Sequence, residues 1–75
     1  MTEMQRQPVN SSDIASIGYD ETTETLEIEF KATGVYRYFS VPKNVWEELA
    51  RTPSPGKLFL QHIKGKYAWE KIGRD

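Results

Sequence analysis

Aromatic and basic residues are the side chains of this chain best suited to chemistry, and they occur in two stretches. The first is Tyr36-Arg37-Tyr38, where one guanidinium group stands between two phenols. The second runs from Lys57 to Arg74 and interleaves lysines with aromatic rings. Rings stack on unpaired bases and basic groups neutralise phosphates, so both stretches are typical of nucleic-acid binding. The candidate nucleic-acid-binding residues are Tyr36, Arg37, Tyr38, Lys64, Lys66, Tyr67 and Trp69.

Two orientations of the tyrosine pair stay open, besides mixed arrangements of the two rings. In a strand, Tyr36 and Tyr38 share one face and Arg37 points to the other. The rings either pack inward against the core or stand on the open face as platforms for unpaired bases. Inward rings leave Val35 and Phe39 facing outward, because these two share the parity of Arg37, unless a bulge changes the alternation.

The sequence contains few residues suited to catalysis or metal binding. The only histidine is His62, and no nucleophile motif or metal-ligand spacing accompanies it. The chain has no cysteine, so thiol nucleophiles, thiolate metal sites and disulfides are excluded. Neither Gly34 nor Gly56 belongs to a phosphate-binding glycine motif. The sequence therefore predicts a protein that is not an enzyme and that uses no cofactor and no metal.

Length and charge bound the class of protein. With 75 residues, the chain has room for one small domain. Residues 1–30 contain seven acidic residues and one basic residue, whereas residues 31–75 contain nine basic and four acidic residues. This asymmetry indicates an anionic partner, although a mixed, solvated surface gives the same pattern. No stretch resembles a signal peptide or a membrane span, so we expect a cytoplasmic protein with no membrane partner.

The elements that position these residues follow from periodicity and punctuation. Three strands are predicted, at Ile14–Tyr19, Leu26–Phe30 and Val35–Val41. In the first, Ala15, Ile17 and Tyr19 share one face and Ile14 lies on the other. The second has a wet, acidic face, and a turn with glycine at position 34 connects it to the third.

Two helices are predicted after the strands. Pro42 suits the first turn of a helix that ends near Thr52. Ser54 as N-cap and Pro55 in the first turn begin a second helix, which Gly65 ends.

The predicted fold class is α+β. A three-stranded antiparallel meander is followed by two helices packed on one face, which makes two layers. Residues 1–8 are predicted to form a flexible N-terminal tail, residues 9–67 a single α+β domain, and residues 68–75 a C-terminal tail.

The order and spacing of several short motifs resemble the KTSC domain, over nearly the whole ordered chain from Val9 to Tyr67. That family is named for its occurrence at the C-terminus of some lysyl-tRNA synthetases, and it also occurs as a stand-alone bacterial protein of about this size. The residues that carry the resemblance are Ser11-Ser12, Ile14, Gly18-Tyr19-Asp20, Leu26-x-Ile28-x-Phe30, Gly34, Tyr36-x-Tyr38, Val41-Pro42, Ser54-x-Gly56, Phe59, Ile63 and Tyr67.

The resemblance implies a bacterial RNA-binding protein and supplies no catalytic residue. Leu60 departs from the family pattern, which has a polar residue, often Asn, directly after the phenylalanine.

Two functions are consistent with the sequence. The first is an RNA-binding domain whose partner is tRNA or single-stranded RNA. The second is a protein-protein interaction module that uses the face or the edge of the sheet. Lys43, Lys64 and Lys66 discriminate between them. If they cluster beside an exposed ring, away from the acidic sheet face, RNA is favoured, and if they scatter, a protein partner is favoured.

Overall fold

Seven elements follow one another along residues 6–73, the part of the chain that the computed structural model describes. They are β1 Arg6–Pro8, β2 Ile14–Asp20, β3 Thr25–Phe30, β4 Gly34–Tyr38, α1 Lys43–Arg51, α2 Pro55–His62 and β5 Trp69–Gly73. The strands form one antiparallel sheet in the order β1-β2-β3-β4-β5. The sheet is thus a meander, and both helices lie in the connection between β4 and β5.

The sheet has five strands, not the three that the sequence predicts. β1 pairs with β2 and β5 pairs with β4, and both added strands lie in segments predicted as tails. All the residues of these strands are exposed except Gly73, so neither strand has the alternation of apolar and polar burial by which a strand is recognised. Residues 1–5 of the predicted N-terminal tail, and Arg74 and Asp75 of the C-terminal one, lie outside the described residues.

The fourth strand ends earlier than predicted. β4 stops at Tyr38, whereas the sequence predicts extended chain as far as Val41. The reason is Ser40, whose φ of 59° lies in the left-handed region and turns the backbone out of the sheet. Val41 is then fixed by its own N–H, which donates to the carbonyl of Glu24 at 2.8 Å.

A bulge in β2 changes which side chains face the core. The pairing of β2 with β3 shifts register between Ile14 and Ser16. Ile14 and Ile17 consequently point to the same side, and both are fully buried. The sequence prediction of Ile14 on the opposite face was wrong, because a bulge adds one residue and inverts the alternation beyond it.

The two helices lie close to the predicted positions and cover one face of the sheet. Pro42 is the N-cap of α1 and not part of its first turn, because its backbone is extended with ψ of 151°. α2 ends at His62 with Ile63 as its C-cap, so Lys64 and Gly65 lie in the turn beyond the helix. α1 ends at Thr52 as its C-cap, and α2 has its proline in the first turn. Trp46 of α1 is half-buried and stacks on Tyr19 with ring centroids 5.6 Å apart. In residues 6–73, neither helix has the length and apolar character needed to cross a membrane. The core consists of Ile14, Ile17, Leu26, Ile28, Tyr38, Val41, Leu49, Phe59 and Ile63.

Gly65, in the turn after α2, has a left-handed backbone with φ of 78°. Gly65→Ala is expected to lower the free energy of unfolding by about 1 kcal/mol, because other residues are strained in this conformation. No atom lies within 4 Å of an added Cβ, so the loss comes from the backbone and not from a clash. Urea denaturation measures it. Lys66→Ala is the control: the neighbouring side chain is exposed, and an equal loss there would contradict the assignment.

Candidate nucleic-acid interface

The outer face of the sheet, which points away from the helices, contains a buried carboxylate. Glu27 of β3 is only 6% exposed. Arg37 donates from Nη2 to Glu27 Oε2 at 2.8 Å, and Arg6 Nη1 lies 3.9 Å from Glu27 Oε1. Glu29 accepts a hydrogen bond from the Ser16 hydroxyl at 2.9 Å. The predicted wet, acidic face is therefore corrected: cross-strand partners cover its carboxylates.

This face is a poor place to bind phosphate. Arg37 is engaged by Glu27, and its side chain points away from the two tyrosines. Glu29 and Glu70 lie on the same face, as their pairing with β4 shows. A phosphate that approaches Arg37 would meet three carboxylates, so the structure separates Arg37 from the other candidate residues.

Both tyrosines of β4 point inward, toward the helices. Tyr38 is 5% exposed, and its ring meets the Phe59 ring edge-on at a centroid distance of 5.5 Å. Tyr36 is half-buried between Phe30 and Trp69, with both centroid distances 5.5 Å. Burial raises the pKa of Tyr38 to about 12, with the Tyr36 phenol adding to the rise, so Tyr38 stays protonated at neutral pH.

Val35 and Phe39 alternate with the two tyrosines along the chain, and each nevertheless has contacts that accommodate it. Val35 points to the outer face, where Gly73 of β5 packs on it: a Cβ on Gly73 would lie 3.0 Å from the Val35 Cβ. Phe39 follows the end of β4 and is half-buried, with its N–H bonded to the carbonyl of Ala68 at 2.9 Å. Contacts with β5 and with the residue before it therefore explain how Val35 and Phe39 are accommodated while both tyrosines point inward.

Aromatic rings line an open groove of about 250 Å³ on the inner face, which we call the aromatic groove. Successive ring centroids are 5.1 to 5.5 Å apart. The groove exists because α2 covers the inner face beneath Phe59, whereas β5 stays exposed over residues 69–72. Its rings belong to Phe30, Tyr36, Tyr38, Phe59 and Trp69, and Thr33, Lys64 and Gly65 complete its wall.

Trp69 is the most exposed of the groove's rings, and two lysines stand near it. Its side chain is 55% exposed and makes a tilted contact with Tyr36, with 52° between the ring planes. Lys64 lines the groove from the turn after α2. Lys71 pairs with Tyr36 across the strands, so it lies on the groove face of β5. Lys64 and Lys71 therefore both lie on the face of the sheet that carries the rings.

The remaining basic and aromatic candidates lie elsewhere. Lys66 is exposed in the turn after α2, and Tyr67 is half-buried against the core. Lys43 Nζ lies 3.4 Å from a carboxylate oxygen of Glu21, in the turn between β2 and β3. Lys64 lies near the turn between β3 and β4, at the other end of β3. The three lysines that discriminate between the two functions therefore do not form one patch. By that criterion their positions favour a protein partner, so a case for RNA rests on the aromatic groove and not on these lysines.

His62 lies on an open cleft between the two helices. Glu47 and Glu48 line the same cleft, but His62 and Glu48 are exposed and Glu47 is half-exposed. None of these carboxylates is buried next to the imidazole, which a general base would need for orientation. The absence of catalysis stays a prediction.

Sequence reasoning missed four of the residues that line the groove, which are Phe30, Thr33, Phe59 and Gly65. Phe59 is part of the core and Phe30 packs against it. Periodicity cannot show that the same rings also border an open groove. Lys71 belongs to the basic and aromatic stretch, but its direction depends on β5, which the sequence does not predict.

The fold is that of a small α+β domain in which two helices interrupt an antiparallel meander before its last strand. The KTSC domain family matches residues 10–67. The chain belongs to that family, and the resemblance noted from its motifs is confirmed.

Relatives show two settings for the domain. A lysine–tRNA ligase of Trichormus variabilis is 48% identical over 54 residues, which are 72% of this chain and 10% of the ligase. The chain thus spans about a tenth of the length of the ligases it matches. An uncharacterized protein of Stutzerimonas stutzeri is 38% identical over 64 residues, which cover 85% of this chain and 90% of that protein.

A solved structure has the same fold. The crystal structure of a KTSC domain protein from Yersinia pestis superposes with a TM-score of 0.92 at 46% identity, covering 95% of this chain and 100% of that one. The family match ends at residue 67, whereas this structural match extends over most of the segments that form β1 and β5.

Proposed function

We propose that this protein binds RNA, and that single-stranded segments, free or within tRNA, enter the aromatic groove. The observation that carries the proposal is Trp69, a large ring that is 55% exposed and held against Tyr36 at the rim of the groove. Exposed rings of this kind stack on unpaired bases with little dependence on sequence. The role of Tyr36 is to support Trp69, and Tyr38 forms the floor.

The charges near the groove suit a polyanion of modest affinity. Among the described residues, those that line the groove include no carboxylate, and Lys64 and Lys71 flank it. Because Lys43 lies elsewhere, we count about two phosphate contacts and not more. A single strand held by two such contacts loses affinity about sevenfold between roughly 50 and 200 mM salt. The salt dependence of binding is therefore expected to be modest.

The relatives support the same proposal. Three matched proteins are lysine–tRNA ligases, and their name states that they act on tRNA. A domain that holds unpaired bases fits an accessory role in such a protein, and the same groove would serve a stand-alone chain.

An amide-shift NMR titration tests the proposal. The protein is titrated with bulk tRNA and with a mixed-sequence single-stranded RNA, at about 50 and then 200 mM salt. We expect shifts at Tyr36, Lys64, Trp69 and Lys71 that weaken at the higher salt, and none at Arg37. Silence at the groove with both RNAs at low salt would refute the proposal.

Trp69→Ala is expected to weaken RNA binding by about 5- to 160-fold, because base stacking on one ring contributes roughly 1 to 3 kcal/mol. Trp69→Phe should retain part of the affinity. Ile72→Ala is the matched control, since Ile72 is exposed on the same strand and does not line the groove. Dissociation constants from fluorescence anisotropy measure the effect. Equal affinities for Trp69→Ala and Ile72→Ala would exclude Trp69 from the interface.

A protein partner is the second candidate, and the edge strand β5 favours it. β5 is last in the strand order, so its outer backbone N–H and C=O groups face away from the sheet. An extended peptide could pair there and add a strand. β1 is a weaker edge, because Pro8 has no N–H to donate. If the RNA titration is silent, an affinity pull-down with Lys71→Pro as the control tests this candidate.

A further inference from the structure

The aromatic groove has a neighbour that shares its wall. A second hollow, of about 330 Å³, lies on the other side of Phe30 and Phe59. Phe30, Thr33, Phe59 and Lys64 line both spaces. The two are therefore compartments of one continuous surface, divided by two phenylalanine rings, with Lys64 beside the division.

The second compartment differs chemically from the first. Leu60, which is 60% exposed, supplies an apolar surface in place of the tryptophan. Asp13 supplies a carboxylate, which the first compartment lacks. Gly56 keeps this side open, because a Cβ there would lie 3.3 Å from Asp13 Oδ2.

Each compartment has the size of a small group. Pockets for drug-sized ligands span roughly 300 to 1,000 Å³. The aromatic groove, at about 250 Å³, is smaller than this range, and the second compartment, at about 330 Å³, lies near its lower end. One flat ring fits each compartment. A ligand that fills both must carry two rings joined by a linker that passes Lys64.

We propose that the unit recognised by this protein is a dinucleotide step of single-stranded RNA, one base in each compartment, with Lys64 contacting the phosphate between them. The inference rests on the proposed function and defines its ligand. A phosphodiester between two bases supplies the anion that Lys64 matches. The first base stacks against Trp69 and the second packs against Leu60.

Asp13 determines which base the second compartment takes. A carboxylate repels phosphate but accepts hydrogen bonds from an exocyclic amino group, as carboxylates do from cytosine N4. The second compartment therefore prefers cytosine to uracil, which presents a carbonyl at the same position. The first compartment, whose contacts are ring faces, has no such preference.

NMR titration of the whole protein with cytidine, with the dinucleotides CpC and UpU, and with the uncharged methylphosphonate analogue of CpC tests the inference. CpC should shift the Trp69 indole N–H and the Leu60 methyl groups together and bind at least about tenfold more tightly than cytidine, because the two bases are linked. The methylphosphonate should lose about two- to fivefold, as for a solvent-exposed ion pair. Lys64→Met should remove that difference, and Lys57→Met, a matched exposed lysine outside both compartments, should keep it.

The outcomes separate this inference from the proposed function. If mixed-sequence RNA shifts the groove but CpC reaches only one compartment, or if Lys64→Met leaves the methylphosphonate penalty unchanged, the dinucleotide unit is refuted and RNA binding stands. If UpU binds as tightly as CpC, or if Asp13→Ala keeps a preference for CpC, the base preference is refuted. If neither RNA nor any dinucleotide shifts the groove, both proposals fail.

Discussion

Tyr38→Ala is expected to lower the free energy of unfolding by about 3 kcal/mol or more, the loss typical of a large buried aromatic ring. Tyr38 is almost fully buried, and its ring supports Phe59, which joins α2 to the sheet. For a domain of this size, such a loss lowers Tm by roughly 12 to 24 °C. A thermal melt followed by circular dichroism measures it.

Tyr38→Phe is the control, because it keeps the ring and removes only the hydroxyl. We expect it to change Tm little compared with Tyr38→Ala. If Tyr38 were a solvent-facing stacking platform, the alanine variant would melt like the unmodified protein and lose only its affinity for RNA. A normal melt for Tyr38→Ala would therefore contradict the inward orientation.

Glu27→Ala is expected to lower the free energy of unfolding by about 3 kcal/mol, the low end of the range for breaking a buried ion pair. The loss lies at the low end because the Arg37 side chain is 37% exposed and can recover water. Arg6 loses the same partner, so β1 loses a contact that joins it to the centre of the sheet. Urea denaturation gives the free energy, and hydrogen exchange at residues 6–8 reports the loosening of β1.

Glu29→Ala is the matched control on the same strand and face. Glu29 is half-buried and accepts one hydrogen bond from the Ser16 hydroxyl, so its removal should lower the free energy of unfolding by about 1 kcal/mol. Equal losses in the two variants would show that Glu27 has no special role. Neither variant should alter RNA affinity, because both side chains lie on the face opposite to the groove.

The two faces of the sheet therefore have separate tasks. The outer face is closed by the ion pairs of Glu27, which join β1, β3 and β4. The inner face is covered by helices except beside β5, and the groove lies there. Its phenylalanine and tyrosine rings come from the segment that the family matches, whereas Trp69 lies beyond residue 67.

Much of the fold could be predicted from local patterns. The alternation of Leu26, Ile28 and Phe30 with glutamates located β3, and prolines with their neighbours located both helices. These signals are local, because the residues that form the pattern are those that bury or cap the element. The KTSC family could also be recognised from the order and spacing of short motifs, since these motifs place the turns and core residues of the fold.

The missing strands could not be predicted for a physical reason. β1 and β5 are held by backbone pairing to a sheet edge, and they bury almost no side chains of their own. Their sequences consequently carry no hydrophobic period. The bulge after Ile14 was hidden in the same way, because the extra residue shows only in the pairing with β3.

For the candidate site too, local sequence determined some features and tertiary structure determined the others. The sequence by itself determined which residue types were available: a pair of tyrosines, an aromatic and basic C-terminal stretch, and neither a thiol nor a catalytic motif. Only the tertiary structure decided that Arg37 is taken by Glu27, that Lys43 and Lys64 lie at opposite ends of β3, and that Trp69 stands beside Tyr36. Direction along a strand and distance between elements are set by pairing and packing over long separations, which no local pattern encodes.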